Sequence, residues 1–230
     1  MNESVSVFLP VRKGSKRIEK KNTKPFSGFD GGLLELKLKQ LLKIENIGEI
    51  VLSTNDPEAI NVANNLGIRD KTIIVKKRPE FLAKDSTDLK DLVAYVPEVT
   101  NREHILWTHV TSPFVSSSTY EKIIKSYFES ISNNYDSLMS VNTLQNFIWD
   151  KEVNDIINRV NNLKWPRTQD LKTLYEVNSA AFMASINIYS KHKDRIGNRP
   201  YLFELGKVEA IDIDWHEDFK IAELIYENIS

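Results

Sequence analysis

The sequence predicts an α/β fold: a mainly parallel central sheet with helices on both faces, in a single domain over residues 1–230. Three observations carry this reading. Short β-branched or apolar runs alternate with helix-like segments along most of the chain, the pattern of parallel strands joined by crossover helices. The chain has 230 residues, of which 41% are hydrophobic and 27% charged, enough to bury a core without cross-links. No internal repeat or low-complexity linker divides it.

Taken in order, strands are expected over residues 5–10, 49–54, 72–75, 104–109, 137–141, 179–186 and 210–214. The opening residues have no basic leader before their apolar run, so they read as a first strand and not as a signal peptide. Residues 33–44 and 57–66 have helical patterns. Leu89, Leu92, Val93 and Val96 recur at i, i+3, i+4 and i+7, which places one apolar stripe on a helix opened near Asp85 and Ser86. A helix over 120–130 carries Ile123, Ile124, Tyr127 and Phe128 on one side, and a last helix has Ile221, Leu224 and Ile225 on its inner face. Residues 143–172 interrupt the alternation, are rich in Asn and contain Trp149 and Trp165. They read as an inserted hairpin or arm, a candidate dimerisation or lid element.

Composition excludes several chemistries. The chain has no cysteine, and so no disulfide framework, thiolate nucleophile, iron–sulfur cluster or thiolate zinc site. No apolar stretch approaches the roughly 18–20 residues of a membrane span, and a cytoplasmic protein is the expectation. A formal net charge of −1 argues against a dedicated nucleic-acid binder, yet it conceals a local excess. Arg12, Lys13, Lys16, Arg17, Lys20, Lys21 and Lys24 crowd one short segment that holds a single acid, Glu19. No aromatic residue interleaves these cations to stack bases.

The basic segment follows the first strand directly, where ligands bind in parallel sheets. Gly14 permits a positive φ and lets backbone N–H groups approach an anion. Ser15 adds a hydroxyl and Arg12 a planar fork suited to phosphate oxygens. Lys16 and Lys21 supply point charges, and Asn22 a donor–acceptor pair. Together they suit a polyphosphate. The plainer alternative is a solvated lysine-rich loop, natural in a chain with more than twice as many Lys as Arg. Neither a Walker A spacing nor G-x-G-x-x-G is present.

Near the end of the chain, Ala210-Ile211-Asp212-Ile213-Asp214 alternates strictly. On a strand, Ile211 and Ile213 would share one face and Asp212 and Asp214 the other. Paired carboxylates suit a hard cation such as Mg²⁺, which takes one or two carboxylates plus phosphate oxygens and water. Alternatively Asp214, with Glu217 three residues on, simply caps the last helix.

The run Leu9-Pro10-Val11-Arg12-Lys13-Gly14-Ser15-Lys16-Arg17-Ile18, followed by Lys21-Asn22, resembles the opening signature of the acylneuraminate cytidylyltransferase (CMP-sialic acid synthetase) family. That signature reads approximately P-A-R-x-G-S-K-x-I-x-x-K-N; Lys13 and Arg17 depart from it. Ile211-Asp212-Ile213-Asp214 with Asp218-Phe219 resembles the family's closing I-D-I-D-x-x-x-D-F segment. Between them, Ser53-Thr54-Asn55-Asp56 resembles V-S-T-D-D, and Arg78-Pro79-Glu80 with Asp85-Ser86-Thr87 resembles R-P-x-x-L-x-x-D-x-[ST]. His109-Val110-Thr111-Ser112-Pro113-Phe114 resembles Q-P-T-S-P-L, with His109 in place of Gln. Pro166-Arg167-Thr168-Gln169-Asp170-Leu171 resembles P-R-R-Q-D-L, with Thr168 in place of the second Arg. Tyr175 to Phe182 resembles Y-x-x-N-G-A-x-Y, with Ser179 in place of Gly.

The resemblance implies a Rossmann-like fold of the nucleotide-diphospho-sugar transferase type and a homodimer joined near an inserted arm. It also implies attack by the anomeric hydroxyl of a nonulosonic (sialic-acid-like) sugar on the α-phosphorus of CTP, releasing pyrophosphate. Arg12, Lys21 and Arg167 would then be catalytic cations. Ser15, Lys16, Asn22, Arg78, Ser86, Thr87, His109, Thr111 and Gln169 would contact substrate, with His109 and Arg167 toward the acidic sugar. Asp212 and Asp214 would hold Mg²⁺, or Mn²⁺ in its place, one of them helping to deprotonate the sugar hydroxyl. The departures at His109, Thr168 and Ser179 leave two alternatives open. One is a nucleotidyltransferase for another acidic sugar, such as 3-deoxy-octulosonate, or for another base; the other is a non-catalytic nucleotide-binding homologue.

Overall fold

A computed structural model describes residues 5–45, 47–66 and 73–229. Residues 1–4, and residue 72 of the expected third strand, lie outside the described residues. Three parallel strands come first, β1 (Val5–Val11), β2 (Glu49–Thr54) and β3 (Ile73–Lys77), joined through α1 (Gly32–Leu42) and α2 (Pro57–Asn65). Then follow α3 (Leu89–Val99), β4 (His104–Trp107), α4 (Ser117–Ile131) and β5 (Ser137–Leu144). A short hairpin, β6 (Trp149–Asp150) and β7 (Asp155–Ile156), precedes β8 (Leu174–Ser185), α5 (Ile186–His192), β9 (Pro200–Glu204) and α6 (His216–Ile229).

The main sheet has seven strands in the order β3-β2-β1-β4-β8-β5-β9. Neighbours are parallel from β3 to β4 and between β5 and β9, while β8 runs antiparallel between β4 and β5. Helices cover both faces. Val5, Val7, Leu9 and Val11 of β1 join one core with α1, α2, α4 and α6, whereas Phe8 joins a second core with Val93, Val96 and Val99 of α3 and Tyr189 of α5. That division explains why β1 is a nearly continuous apolar run, as expected of a strand buried on both sides.

Several boundaries differ from the sequence reading. Helix α3 begins at Leu89, because Asp88 accepts the Lys90 N–H at 2.9 Å and acts as N-cap; Asp85 and Ser86 lie before it. The strand expected over residues 210–214 does not form. After β9 the chain turns, with Ala210 N–H bonded to Gly206 O and Ile211 N–H to Val208 O, and crosses under the β4–α4 loop. Its alternation belongs to an irregular crossing segment with Ile213 buried. The sheet is completed instead by β9, an edge strand that opens with Pro200, where a missing N–H is tolerated.

The last helix also turns differently. Phe219 and Ala222 are buried and Ile225 and Tyr226 pack on the same core, while Ile221 and Leu224 are 52% and 63% exposed. Phe26 meets Phe219 and Tyr226 edge-on, with ring centroids 5.4 and 5.7 Å apart, and these aromatic contacts select the buried face. The segment over residues 145–173 carries the β6–β7 hairpin and its own small lock. Buried Asn158 accepts the Ile148 N–H at 3.1 Å and donates to the Asn146 and Lys172 carbonyls at 2.8 and 3.3 Å. Trp149 and Trp165 are exposed on it. Replacing Phe219 with Ala should therefore cost about 3–5 kcal/mol of stability, and Leu224→Ala no more than about 0.5 kcal/mol. Denaturant unfolding of both variants measures the difference.

Candidate functional site

The first strand delivers its carboxyl end, Pro10 and Val11, into the middle of the sheet, and the basic loop turns there. Gly14 adopts φ +83° with open space around it, so the backbone conformation, not room for a side chain, calls for glycine. The Asn22 amide donates to Arg12 O at 3.2 Å, and Lys13 N–H donates to the Asn55 carboxamide at 2.9 Å. Buried Ile18 anchors the loop from below. Together these contacts curve the loop around a cleft of about 330 Å³.

One wall of the cleft carries Arg12, Ser15, Lys16, Arg17, Lys21 and Asn22; the other carries His109, Val110 and Thr111 from the end of β4. The crossing segment does not line the cleft but is tied to both of its walls. Ile213 N–H donates to Thr111 O at 2.9 Å, and the Lys21 amine donates to Ile213 O at 2.7 Å. Asp214 then lies 3.5 Å from Lys21 and 3.0 Å from Arg17. Asp214 is free for these cations because Asp218 does the capping, accepting the Asp214 and Trp215 N–H groups at 2.9 and 2.7 Å.

The carboxylates around the cleft differ in environment. Both Asp85 oxygens are engaged, one by Arg12 and one by Lys16, each at 2.5 Å; Lys16 and then Arg12 hold its carboxyl below the usual range. Asp212 is pushed upward, chiefly by burial and further by Asp214, against a hydrogen bond from Thr111. Its Oδ1 is buried without a hydrogen-bond partner, and a buried anion in that condition is stabilised by a cation. No group of three or more acidic or His residues able to hold a metal occurs among the described residues. A metal at Asp212 and Asp214 would need further ligands from substrate oxygens and water, which is the usual habit of Mg²⁺.

A smaller cavity of about 220 Å³ adjoins on the far side of Arg12 and is lined by Arg78 and Thr87. The Arg78 guanidinium is buried and donates to Ser53 Oγ and O at 3.1 and 2.8 Å; burial lowers its pKa to about 10. Thr87 donates to Phe81 O at 2.7 Å, and Ser86 is exposed. Arg167 and Gln169 line neither of these cavities. Both are on the arm, Arg167 paired with Asp170 at 2.9 Å and Gln169 O bonded by Gln145. Sequence reasoning passed over the anchoring of Arg12 and Lys16 by Asp85; only the pairing of an acid with two distant cations reveals it.

His109 reaches the cleft with both ring nitrogens in use. The Trp107 indole N–H donates to Nε2 at 3.0 Å, so Nδ1 carries the proton and donates to Ser179 O at 2.8 Å. Burial, with Arg195 adding to it, lowers its pKa to about 4. A base held neutral in the fold contributes stability that is complete above about pH 6.5, its unfolded value, and is lost as pH falls toward 4. Unfolding free energy should thus decline across that window by up to about 1.4 kcal/mol per pH unit, and the His109→Gln variant should lack this component in denaturant titrations at several pH values.

Residues 6–228 match the cytidylyltransferase family model. An N-acylneuraminate cytidylyltransferase of Streptococcus agalactiae serotype V is 23% identical over 227 residues, covering 92% of this chain and 51% of that protein. A pseudaminic acid cytidylyltransferase of Campylobacter jejuni is 24% identical over 225 residues, covering 95% and 94%. The chain thus spans about half the length of the streptococcal relative and nearly all of the Campylobacter one. Two solved structures share the fold. A CMP:2-keto-3-deoxy-manno-octonic acid synthetase complexed with CTP has a TM-score of 0.67 at 11% identity, covering 99% of this chain and 100% of that one. A 4-diphosphocytidyl-2C-methyl-D-erythritol synthase from Anaerococcus prevotii has a TM-score of 0.65 at 14% identity, with the same coverage. The sequence match runs from β1 into α6, through both walls of the cleft, and on that ground the chain belongs to the cytidylyltransferase family.

Proposed function

We propose that this chain transfers the cytidylyl group of CTP to the anomeric hydroxyl of a nonulosonic, sialic-acid-like sugar, giving the CMP-sugar and pyrophosphate. The observation that carries the reading is that, in a cytidylyltransferase chain, the cation-rich β1 loop lines a cleft and two of its cations, Arg17 and Lys21, lie 3.0 and 3.5 Å from Asp214, next to Asp212. The curated relatives named for N-acylneuraminate and pseudaminic acid support the sugar class. In such a transfer, positioning and charge neutralisation do most of the catalysis.

In this reading Arg12 and Lys21 bind the phosphates and neutralise charge growing on the leaving pyrophosphate. Ser15, Lys16 and Asn22 shape the triphosphate pocket, while Arg78, Ser86 and Thr87 serve the nucleotide beyond Arg12. Asp85 holds Arg12 and Lys16 pointed inward until phosphate oxygens replace it. Asp212 and Asp214 would hold Mg²⁺ or Mn²⁺, which when bound offsets the triphosphate charge. Thr111 and a neutral His109 face the sugar; His109 acts there as a shaped wall, since both nitrogens are already bonded. Arg167 and Gln169 reach a sugar only from the arm, and we assign the arm to contact with a second copy of the chain, in a homodimer. Its apolar side chains, with Val160 71% and Trp165 66% exposed, support that assignment. CTP is a cytoplasmic metabolite, and we assign the enzyme to that compartment.

Pyrophosphate release should appear with CTP, magnesium and at least one member of a nonulosonic acid panel. Silence across the panel, or equal turnover of every nucleoside triphosphate, would reject the reading. Asp212→Asn should lower kcat by about two or more orders of magnitude and leave the circular dichroism spectrum unchanged; near-normal rates remove Asp212 from the metal site. Light scattering should give the mass of two chains for the wild type and of one for Val160→Asp/Trp165→Asp.

A further inference from the structure

The least expected side chain of the core is Lys37. It lies in the buried stripe of α1 between Leu34 and Leu41 and is wholly inaccessible. No carboxylate pairs with it among the described residues. Its Nζ donates to Ser112 O at 2.8 Å and to the Tyr120 hydroxyl at 2.9 Å, with Val115 O at 3.5 Å. Three residues along the same helix, the Gln40 amide donates to Pro113 O at 2.7 Å. One face of α1 thus grips the inward-turned carbonyls of the β4–α4 loop, adding to the long 3.4 Å bond that Ser112 O accepts from Val115 N–H.

The hydrogen-bond chain beyond Lys37 has one direction. The Ala180 carbonyl can only accept, so Thr108 Oγ1 donates to it at 2.8 Å. Tyr120 must then donate to Thr108 Oγ1 at 2.6 Å and accept from Lys37. Lys37, Tyr120 and Thr108 tie α1 and α4 to the end of β4 and to β8, immediately before His109. On the other side of Ser112 stands Thr111, which accepts the Ile213 N–H and hydrogen-bonds Asp212.

We propose that Lys37 is a positioning residue of the cleft, a buried amine that holds the β4–α4 loop so that Thr111 presents Asp212 and Ile213 to Lys21. Burial alone lowers its pKa to about 7; even the neutral amine keeps two N–H groups, enough for Ser112 and Tyr120. The effect on turnover rests on the proposed function, whereas the effect on geometry does not.

Amide hydrogen exchange with Lys37→Met, under conditions where it and the wild type are folded, tests the geometry. The Ile213 amide should exchange about tenfold faster or more, while Val51 and Leu52 in β2 keep wild-type rates. An unchanged Ile213 rate, or equal acceleration of all three, overturns the proposal. If Lys37→Met does not fold, Tyr120→Phe decides: it keeps the amine and breaks the relay, and should accelerate Ile213 about threefold or more while sparing β2. A wild-type rate at Ile213 overturns the proposal there too. In the pyrophosphate assay the folded variant should lose about tenfold in kcat with KM for CTP within about twofold; a raised KM with intact kcat overturns it. A wild type inactive on the whole panel rejects the proposed function instead, and the exchange result then judges Lys37 alone.

Discussion

The cleft depends on Ile213. Its side chain is buried in the main core, its N–H bonds Thr111 and its carbonyl accepts from Lys21. Those three attachments tie a segment almost two hundred residues from the basic loop to the carboxyl end of the sheet. Without them Asp212 and Asp214 would be two acids on an irregular stretch before a helix. With them, the two acids face cations that the β1 loop gathers on its own. The burial of one isoleucine therefore sets the electrostatics of the whole site.

Charge in the cleft is arranged in pairs with different partners. Asp85 binds Arg12 and Lys16 through both oxygens in a largely solvated setting, a contact that positions cations without adding much stability. Asp214 faces Lys21 and Arg17, and Arg17 also stacks over Trp215 at 4.9 Å. Asp212 alone keeps a buried oxygen without a partner. Four cations of the cleft thus share two carboxylates, Asp85 and Asp214, while Asp212 keeps one unsatisfied anionic atom. That asymmetry is what a polyanion carrying a divalent cation would complement.

Much of this was legible locally. Gly14 and the surrounding cations predict a tight basic loop with a positive φ after the first strand, because these are properties of a short stretch of chain. The strands β1, β2 and β4 were equally plain, being apolar runs buried on both faces. Edge strand β9 was not: it is short, half-buried and opens with proline. The alternation of residues 210–214 suggested a strand, yet an extended crossing segment with one inward side chain has the same period. The last helix forms with Ile225 on its inner face as expected, but Ile221 and Leu224, which match a helical period as well as Phe219 and Ala222 do, face outward. Aromatic side chains far away in sequence, Phe26, Phe29 and Phe114, choose between the two faces.

The sequence by itself determined the fold class, the basic loop after the first strand and the types of side chain available for chemistry, since these follow from local periodicity and composition. Tertiary structure alone decided which of them meet. It brought Asp214 to Lys21 and Arg17, engaged Asp85 with Arg12 and Lys16, left Arg167 and Gln169 off both cavities and used up both nitrogens of His109. It also placed a lysine amine in the core beneath the site. The meetings of Asp214 with Lys21, of Asp85 with Arg12 and of Lys37 with Ser112 are contacts between distant segments, set by which surfaces are buried together, and no local pattern encodes them.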